Sequence, residues 1–340
     1  VSSASLDRLL GIVIAAIALT GAASLHGGVQ SDSWLFLTHD VLAGILAALV
    51  AVKLVRSLPP ALAHGRRGPL ALSLVLAVLT IASLIAGYAW VAGGRLVWLD
   101  LGFASWTLLT LHAWFGLLLL PVVAVHLAPR RWRLLRPGRA AVPRAVGRVA
   151  TRRAFLVAAA LLAAGATLAA GTAALDRLTG GTRRFTGSRW LPPGSAPVAT
   201  TFLGEPVPEV DPSAWRIQVG GRVANELDIS LAELRALPSR DLRAVLDCTS
   251  GWALDAAWTG VDVAALLEQA GTDPAARSVT FRAMTGWTAT LPIADGRRGI
   301  LAWAIDGRPL PVANGAPLRL VAPDHRGLEW VKWVSSIEVA

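Results

Sequence analysis

The 340-residue chain sets 32 Lys and Arg against 22 Asp and Glu, for a net charge of +10, yet 54% of it is hydrophobic. Its mean hydropathy of +0.55 excludes an ordinary soluble chain and points to membrane spans, with lipid as a partner. The arginines cluster in loops beside apolar runs, where they act as a topology signal, so nucleic acid is excluded as a partner.

Five apolar runs are long enough to cross a bilayer of roughly 30 Å as helices. They are Leu9 to Leu25, Trp34 to Leu54, Leu70 to Ala92, Phe103 to Leu127 and Phe155 to Leu175. The second-to-third connection carries Arg56, Arg66 and Arg67, and the fourth-to-fifth runs from Arg130 to Arg153 with many more arginines. The opposite loops hold only Asp32, Arg95 and Asp100. Positive-inside then predicts a multi-pass cell-membrane protein, with a cytoplasmic N-terminus and everything beyond Leu175 outside. The fifth span opens on Thr151-Arg-Arg-Ala-Phe-Leu156, which resembles a twin-arginine signal, the route that exports domains already folded around a cofactor.

Ionisable residues within spans are few and informative. His39 in the second span and His112 in the fourth lie on helices running the same way and enter at similar depth. Facing imidazoles from two helices of a bundle suit a six-coordinate haem b; the alternative is two histidines hydrogen-bonded to neighbouring helices. His126 follows His112 by fourteen residues, nearly four turns, and is the candidate ligand of a second haem, with His64 in a loop as its partner. Lys53 occupies the corresponding position after His39 and reads as a cytoplasmic anchor. His26, at the outer end of the first span, is a surface residue, a ligand to a haem propionate or an alternative ligand. His39-Asp-Val-Leu-Ala-Gly44 and His112-Ala-Trp-Phe-Gly116 resemble repeats of a membrane cytochrome b.

Arg177 to Pro212 is rich in Gly, Pro, Ser and Thr and reads as a linker with an irregular entry to the next domain. From Trp215 onward strand signals alternate with short helices. Trp215 to Val219, Ser278 to Arg282, Leu301 to Ile305, Leu318 to Val321 and Val334 to Val339 read as strands. Ser230 caps a helix with Glu233 three residues on, and Val261 to Ala270 is another helix. The apolar run Ala244-Val-Leu246 reads as a strand ending at Cys248, the only cysteine, which excludes an internal disulfide and a cysteine-rich zinc site. Gly251 and Gly260 permit tight turns there, and Trp252 and Trp258 wall the space nearby. A thiolate in that setting suits a soft metal centre.

Cys248-Thr-Ser-Gly-Trp252, Trp258-Thr-Gly-Val261 and, downstream, Asn314-Gly-Ala-Pro-Leu-Arg-Leu-Val-Ala-Pro323 with Gly327 and Val331-Lys-Trp333 resemble the molybdopterin domain of the sulfite oxidase family. The asparagine version is most similar to the branch that reduces methionine sulfoxide. The resemblance covers roughly Thr200 to Ala340 and implies that Cys248 is the catalytic molybdenum ligand. It implies that Arg319 and Lys332 meet the pterin phosphate, that Asn314 meets the pterin edge, and that Thr200, Thr201 and Phe202 approach the pterin. Asp324-His-Arg326 and Glu329 depart from the family pattern and are expected to shape the substrate mouth.

The expected fold is multi-domain: an all-α transmembrane bundle of five spans followed by an α+β sulfite oxidase-like domain. The expected divisions are a cytochrome b-like membrane domain over 1–130, a basic loop and fifth span over 131–176, a linker over 177–212 and the molybdopterin-binding domain over 213–340. The expected function is a molybdopterin-dependent oxidoreductase that exchanges electrons with quinone or quinol through haem b. It transfers an oxygen atom to or from a small substrate outside the cytoplasm. Reduction of a sulfoxide or N-oxide is the first reading. The alternatives are a sulfite-type dehydrogenase served by the basic Arg326, or a non-catalytic haem protein with an outer binding module.

Overall fold

The computed structural model describes residues 3–63, 67–93, 98–100, 105–128, 147–181, 183–200 and 205–340. His64, Arg66, Arg95, Phe103, Arg130 to Arg144, Thr201 and Phe202 lie outside the described residues. The chain forms two units, one of Val1–Ser24 with Ser31–Thr182, the other of Leu25–Gln30 with Arg183–Ala340.

In the first unit α1 (Ser3–Ser24), α2 (Ser33–Ala63), α3 (Arg67–Ala92), α4 (Leu108–Leu127) and α5 (Gly147–Leu178) carry the five apolar runs. All five are long and apolar enough to cross a membrane, by length and composition. Their outward side chains include Ile12, Leu19, Val55, Val78 and Phe155, each more than 60% exposed. Leu6 and Val13 of α1 interlock with Ile45, Leu46 and Leu49 of α2. Lys53 pairs with Asp7 of α1. Gly44 of α2 and Gly165 of α5 meet so closely that a Cβ on Gly165 would lie 2.5 Å from the Val41 carbonyl oxygen, a small-residue crossing of the kind that lets helix backbones touch.

The fourth helix starts later than the expected Phe103. Ser105-Trp-Thr107 forms β2 and pairs antiparallel with β1 (Trp98–Asp100), so this unit is not wholly helical. Thr107 then caps α4, its hydroxyl accepting from the Thr110 amide at 3.1 Å.

The second unit holds two sheets. In the first, β6 (Ser239–Cys248) and β7 (Trp252–Asp262) form a long hairpin. β7 continues to β10 (Ile300–Ile305), which also takes β11 (Arg308–Pro309) and β12 (Arg319–Val321). β3 (Arg189–Trp190) adds to β7 in parallel, so part of the stretch expected as linker is a strand with buried Ser188 and Arg189 beside it. The second sheet runs β5 (Leu227–Ser230), β4 (Arg216–Gly221), β13 (Val334–Val339), β8 (Ser278–Ala283) and β9 (Thr288–Pro292), with only β4 and β13 parallel. Three short helices, α6 (Leu231–Ala236), α7 (Val263–Gln269) and α8 (Ile293–Arg298), complete an α+β unit. Ser230 and Glu233 form the full reciprocal capping box on α6. Apolar residues such as Ile217, Leu246, Phe281, Leu301 and Ile337 are buried between these elements.

Candidate functional site

The β6–β7 hairpin fixes Cys248. Its register pairs Cys248 directly with Trp252, so the two side chains project from one face. The turn closes through the Gly251 amide donating to the Cys248 carbonyl at 2.9 Å, with Gly251 at φ +99°. Gly327 packs against this strand end: a Cβ there would lie 3.1 Å from Cys248 Cα. Trp258 lies elsewhere than expected. It is fully buried, donates to the Ala244 carbonyl at 3.2 Å and packs edge to face on Trp330.

Thr200 lies against the sulfur, with Oγ1 3.4 Å from Cys248 Sγ, and accepts from the Trp252 indole N–H at 3.1 Å. Its carbonyl accepts from Lys332 Nζ at 3.1 Å, and the Ala313 carbonyl accepts from the same ammonium at 3.2 Å. Asn314 is buried and donates to the Pro197 carbonyl at 3.2 Å. Arg319, only 3% exposed, donates to the Asn314 carbonyl at 2.8 Å. Its guanidinium lies 5.7 Å from the Trp258 ring centre and 5.8 Å from that of Trp330. Its Nε has no hydrogen-bond partner among the described residues.

Among the described residues, no ion pair involves Arg319 or Lys332. Both are instead held by carbonyls. The anionic groups acting on both are Cys248 and Glu205. Burial pulls the Arg319 guanidinium down to about 10 and the Lys332 ammonium to about 8. A buried and a half-buried cation without a contacting carboxylate, the first with an unsatisfied N–H, fit an anionic ligand whose oxygens accept from both.

Beneath Cys248 lies a network that sequence reasoning missed. Asp247 is fully buried and accepts from Thr186 Oγ1 at 2.7 Å, Ser188 Oγ at 2.6 Å and Arg184 Nη1 at 3.1 Å. Arg326 completes it, with Nη2 3.4 Å from Asp247 and 3.4 Å from the Cys248 carbonyl oxygen. Arg326 was expected at a substrate mouth. It is 3% exposed and turned inward to neutralise Asp247, because a fully buried carboxylate needs a counter-charge. Asp324 and His325 do line a cleft of about 390 Å³, with Gly28, Arg184 and Arg243. Glu329 accepts from His325 at 3.1 Å and from the exposed His26 at 3.1 Å. That hydrogen bond to Glu329 holds the His325 imidazole above its ordinary range.

In the first unit His39 and His112 come together, their ring centroids 6.0 Å apart and their planes at 83°. Each ring is held through Nδ1 by the preceding helix. His39 Nδ1 lies 2.9 Å from Thr20 Oγ1 of α1, and His112 Nδ1 lies 2.8 Å from the Ser83 carbonyl oxygen of α3. Gly21 and Gly87 make room for the rings, since Cβ atoms there would come within 3.3 Å and 3.0 Å of them. Nδ1 engagement leaves Nε2 of each ring for a further bond, the arrangement of an oriented metal ligand. Among the described residues no group of three or more His, Cys, Asp or Glu could hold a metal ion. His126 lies on the last turn of α4, and its expected partner His64 is outside the described residues.

A family model for the oxidoreductase molybdopterin binding domain matches residues 204–340. The chain is 33% identical over 166 residues to the uncharacterized oxidoreductase YuiH of Bacillus subtilis, covering 47% of this chain and 83% of that protein. It is 30% identical over 148 residues to the protein-methionine-sulfoxide reductase catalytic subunit MsrP of Gluconobacter oxydans, covering 38% of this chain and 47% of that one. It is 28% identical over 145 residues to the putative protein-methionine-sulfoxide reductase subunit YedZ1 of Azospira oryzae, covering 42% of this chain and 55% of that one. The chain thus spans about half the length of the two sulfoxide-reductase relatives and most of the first. With the domain matched over 204–340 and that first relative covered over most of its length, this chain belongs to the molybdopterin-binding oxidoreductases.

Proposed function

We propose that the protein is a membrane-anchored reductase of a sulfoxide or N-oxide, with a molybdenum centre outside the cytoplasm and a haem b between His39 and His112. One observation carries the molybdenum half. Cys248 stands at a strand end beside the buried Arg319 and the half-buried Lys332, two cations that no carboxylate among the described residues contacts. Cys248 would bind the metal, and Arg319 and Lys332 would hold the cofactor's phosphate, with Asn314 at the pterin edge. When bound, the cofactor supplies the two-electron oxygen-atom exchange. The balance is sulfoxide plus two electrons and two protons giving sulfide and water. The chain's own residues orient the cofactor, screen its charge and exclude water from behind Cys248.

The haem half is supported by the pairing of His39 with His112, which would be the residues that hold the iron, each ring oriented through Nδ1. Quinol is the electron source that suits an apolar helical unit. A cavity of about 510 Å³ lined by Ala47, Val50, Leu54, Ile81, Leu84 and Tyr88 offers, among the described residues, one polar group, the Tyr88 hydroxyl, which is buried with no hydrogen-bond partner among them. An amphipathic quinol would satisfy it. The sulfite-oxidising alternative loses its residue, since Arg326 is committed to Asp247.

The test is the detergent-purified protein. It should hold molybdenum, show a low-spin haem spectrum and reduce a methyl sulfoxide with a viologen dye as donor. Protein that holds haem but no molybdenum and turns over no sulfoxide or N-oxide would defeat the proposal.

A further inference from the structure

We infer that Thr200 tunes the molybdenum centre by donating a hydrogen bond to the sulfur of Cys248, with Trp252 fixing the direction of that bond. The inference rests on the reading of Cys248 as the metal ligand. The donor follows from counting hydrogens. Indole Nε1 can only donate, so in the 3.1 Å contact with Trp252 the Thr200 oxygen is the acceptor. A thiolate bound to a metal carries no hydrogen. The 3.4 Å contact between Thr200 Oγ1 and Cys248 Sγ can then be made only with the hydrogen of Thr200.

The fold locks this chain of donors. Trp252 is 2% exposed and sits opposite Cys248 in the β6–β7 register, so indole and sulfur share a face and Thr200 spans them. The Thr200 backbone is tied down from its other side by Lys332 Nζ on its carbonyl. A hydrogen bond to a metal-bound thiolate withdraws electron density from the sulfur and favours the reduced metal. Thr200 is therefore a positioning and tuning residue, acting through Cys248.

The test is a potentiometric titration of the molybdenum electron-paramagnetic-resonance signal in the full-length holoprotein, comparing wild type with Thr200→Val, Thr200→Ser and Trp252→Phe. Valine keeps the shape and removes the hydroxyl. It should shift the equilibrium toward the oxidised metal about tenfold, about 59 mV for one electron, and alter the signal's g-values. Serine should restore both, which a merely space-filling role would not. Trp252→Phe should move both in the same direction by less, and it decides the matter if Thr200→Val fails to retain molybdenum. Unmoved potential and g-values in Thr200→Val, or in Trp252→Phe where that variant decides, overturn the inference alone. A wild-type protein with molybdenum whose signal is unchanged in Cys248→Ser overturns the ligand reading and the inference with it.

Discussion

The imidazoles of His39 and His112 meet edge to face at 6.0 Å, each braced through Nδ1 by the helix that precedes its own. The same device occurs twice: α1 offers Thr20 and Gly21 to His39, and α3 offers Ser83 and Gly87 to His112. Replacing either histidine with alanine is expected to remove the bis-histidine low-spin spectrum completely, read by visible absorption of the purified protein. Sulfoxide reduction driven by a dye that reaches the outer domain should continue at near wild-type rate. A normal low-spin spectrum in both variants would move the iron elsewhere.

Tyr88→Phe removes the one polar group lining the α2–α3 cavity while keeping the ring. Haem reduction by a short-chain quinol, followed by stopped flow, should slow about tenfold, the worth of one hydrogen bond of about 1.4 kcal/mol. Reduction by dithionite should be unaffected. Equal quinol rates in the two proteins would place quinol elsewhere.

These features differ in how far the sequence reveals them. The five apolar helices were legible because a span needs little beyond length and hydropathy. The start of α4 was not, because Ser105-Trp-Thr107 continues the apolar run and only its pairing with Trp98–Asp100 removes it from the helix. The Cys248 strand and the Ser230–Glu233 box were legible from local pattern, since both are built from neighbours in the chain. The network around Asp247 was not. Thr186 and Ser188 come from one distant segment and Arg326 from another, and the one local signal was a carboxylate, Asp247, inside an apolar strand. That signal implies a buried counter-charge, and it would have assigned Arg326 to the interior. Thr20 and Ser83 carried a weaker signal, each being one of several hydroxyl residues in an apolar helix.

The half-buried ammonium of Lys332 sets a pH dependence. Its value of about 8 lies below the ordinary 10.5, so the cofactor-free fold binds fewer protons than the unfolded chain between those values. The full penalty of burying the charge is present below about pH 8, and stability gains from this group as pH rises from there. An anion binds the protonated form, so its hold weakens over the same rise. Inorganic phosphate should raise the thermal midpoint of cofactor-free protein more at about pH 7 than at about pH 9.5. Lys332→Met should flatten that difference. A phosphate effect that grows with pH would contradict the assignment.

Arg152 and Arg153 stand near the start of the fifth apolar run. If they form an export signal, changing both to lysine keeps the charge and still removes the outer domain from the cell exterior, read by protease accessibility in intact cells. Unchanged accessibility would reduce the pair to ordinary positive-inside charge.

The central claim, that the Cys248 thiolate is a ligand of molybdenum, is tested most directly by X-ray absorption at the molybdenum edge, comparing wild type with Cys248→Ser. The expected result is one fewer sulfur neighbour around the metal in the serine protein, together with loss of sulfoxide turnover and an unaltered haem spectrum. The same sulfur count in both proteins, with turnover retained, would contradict it.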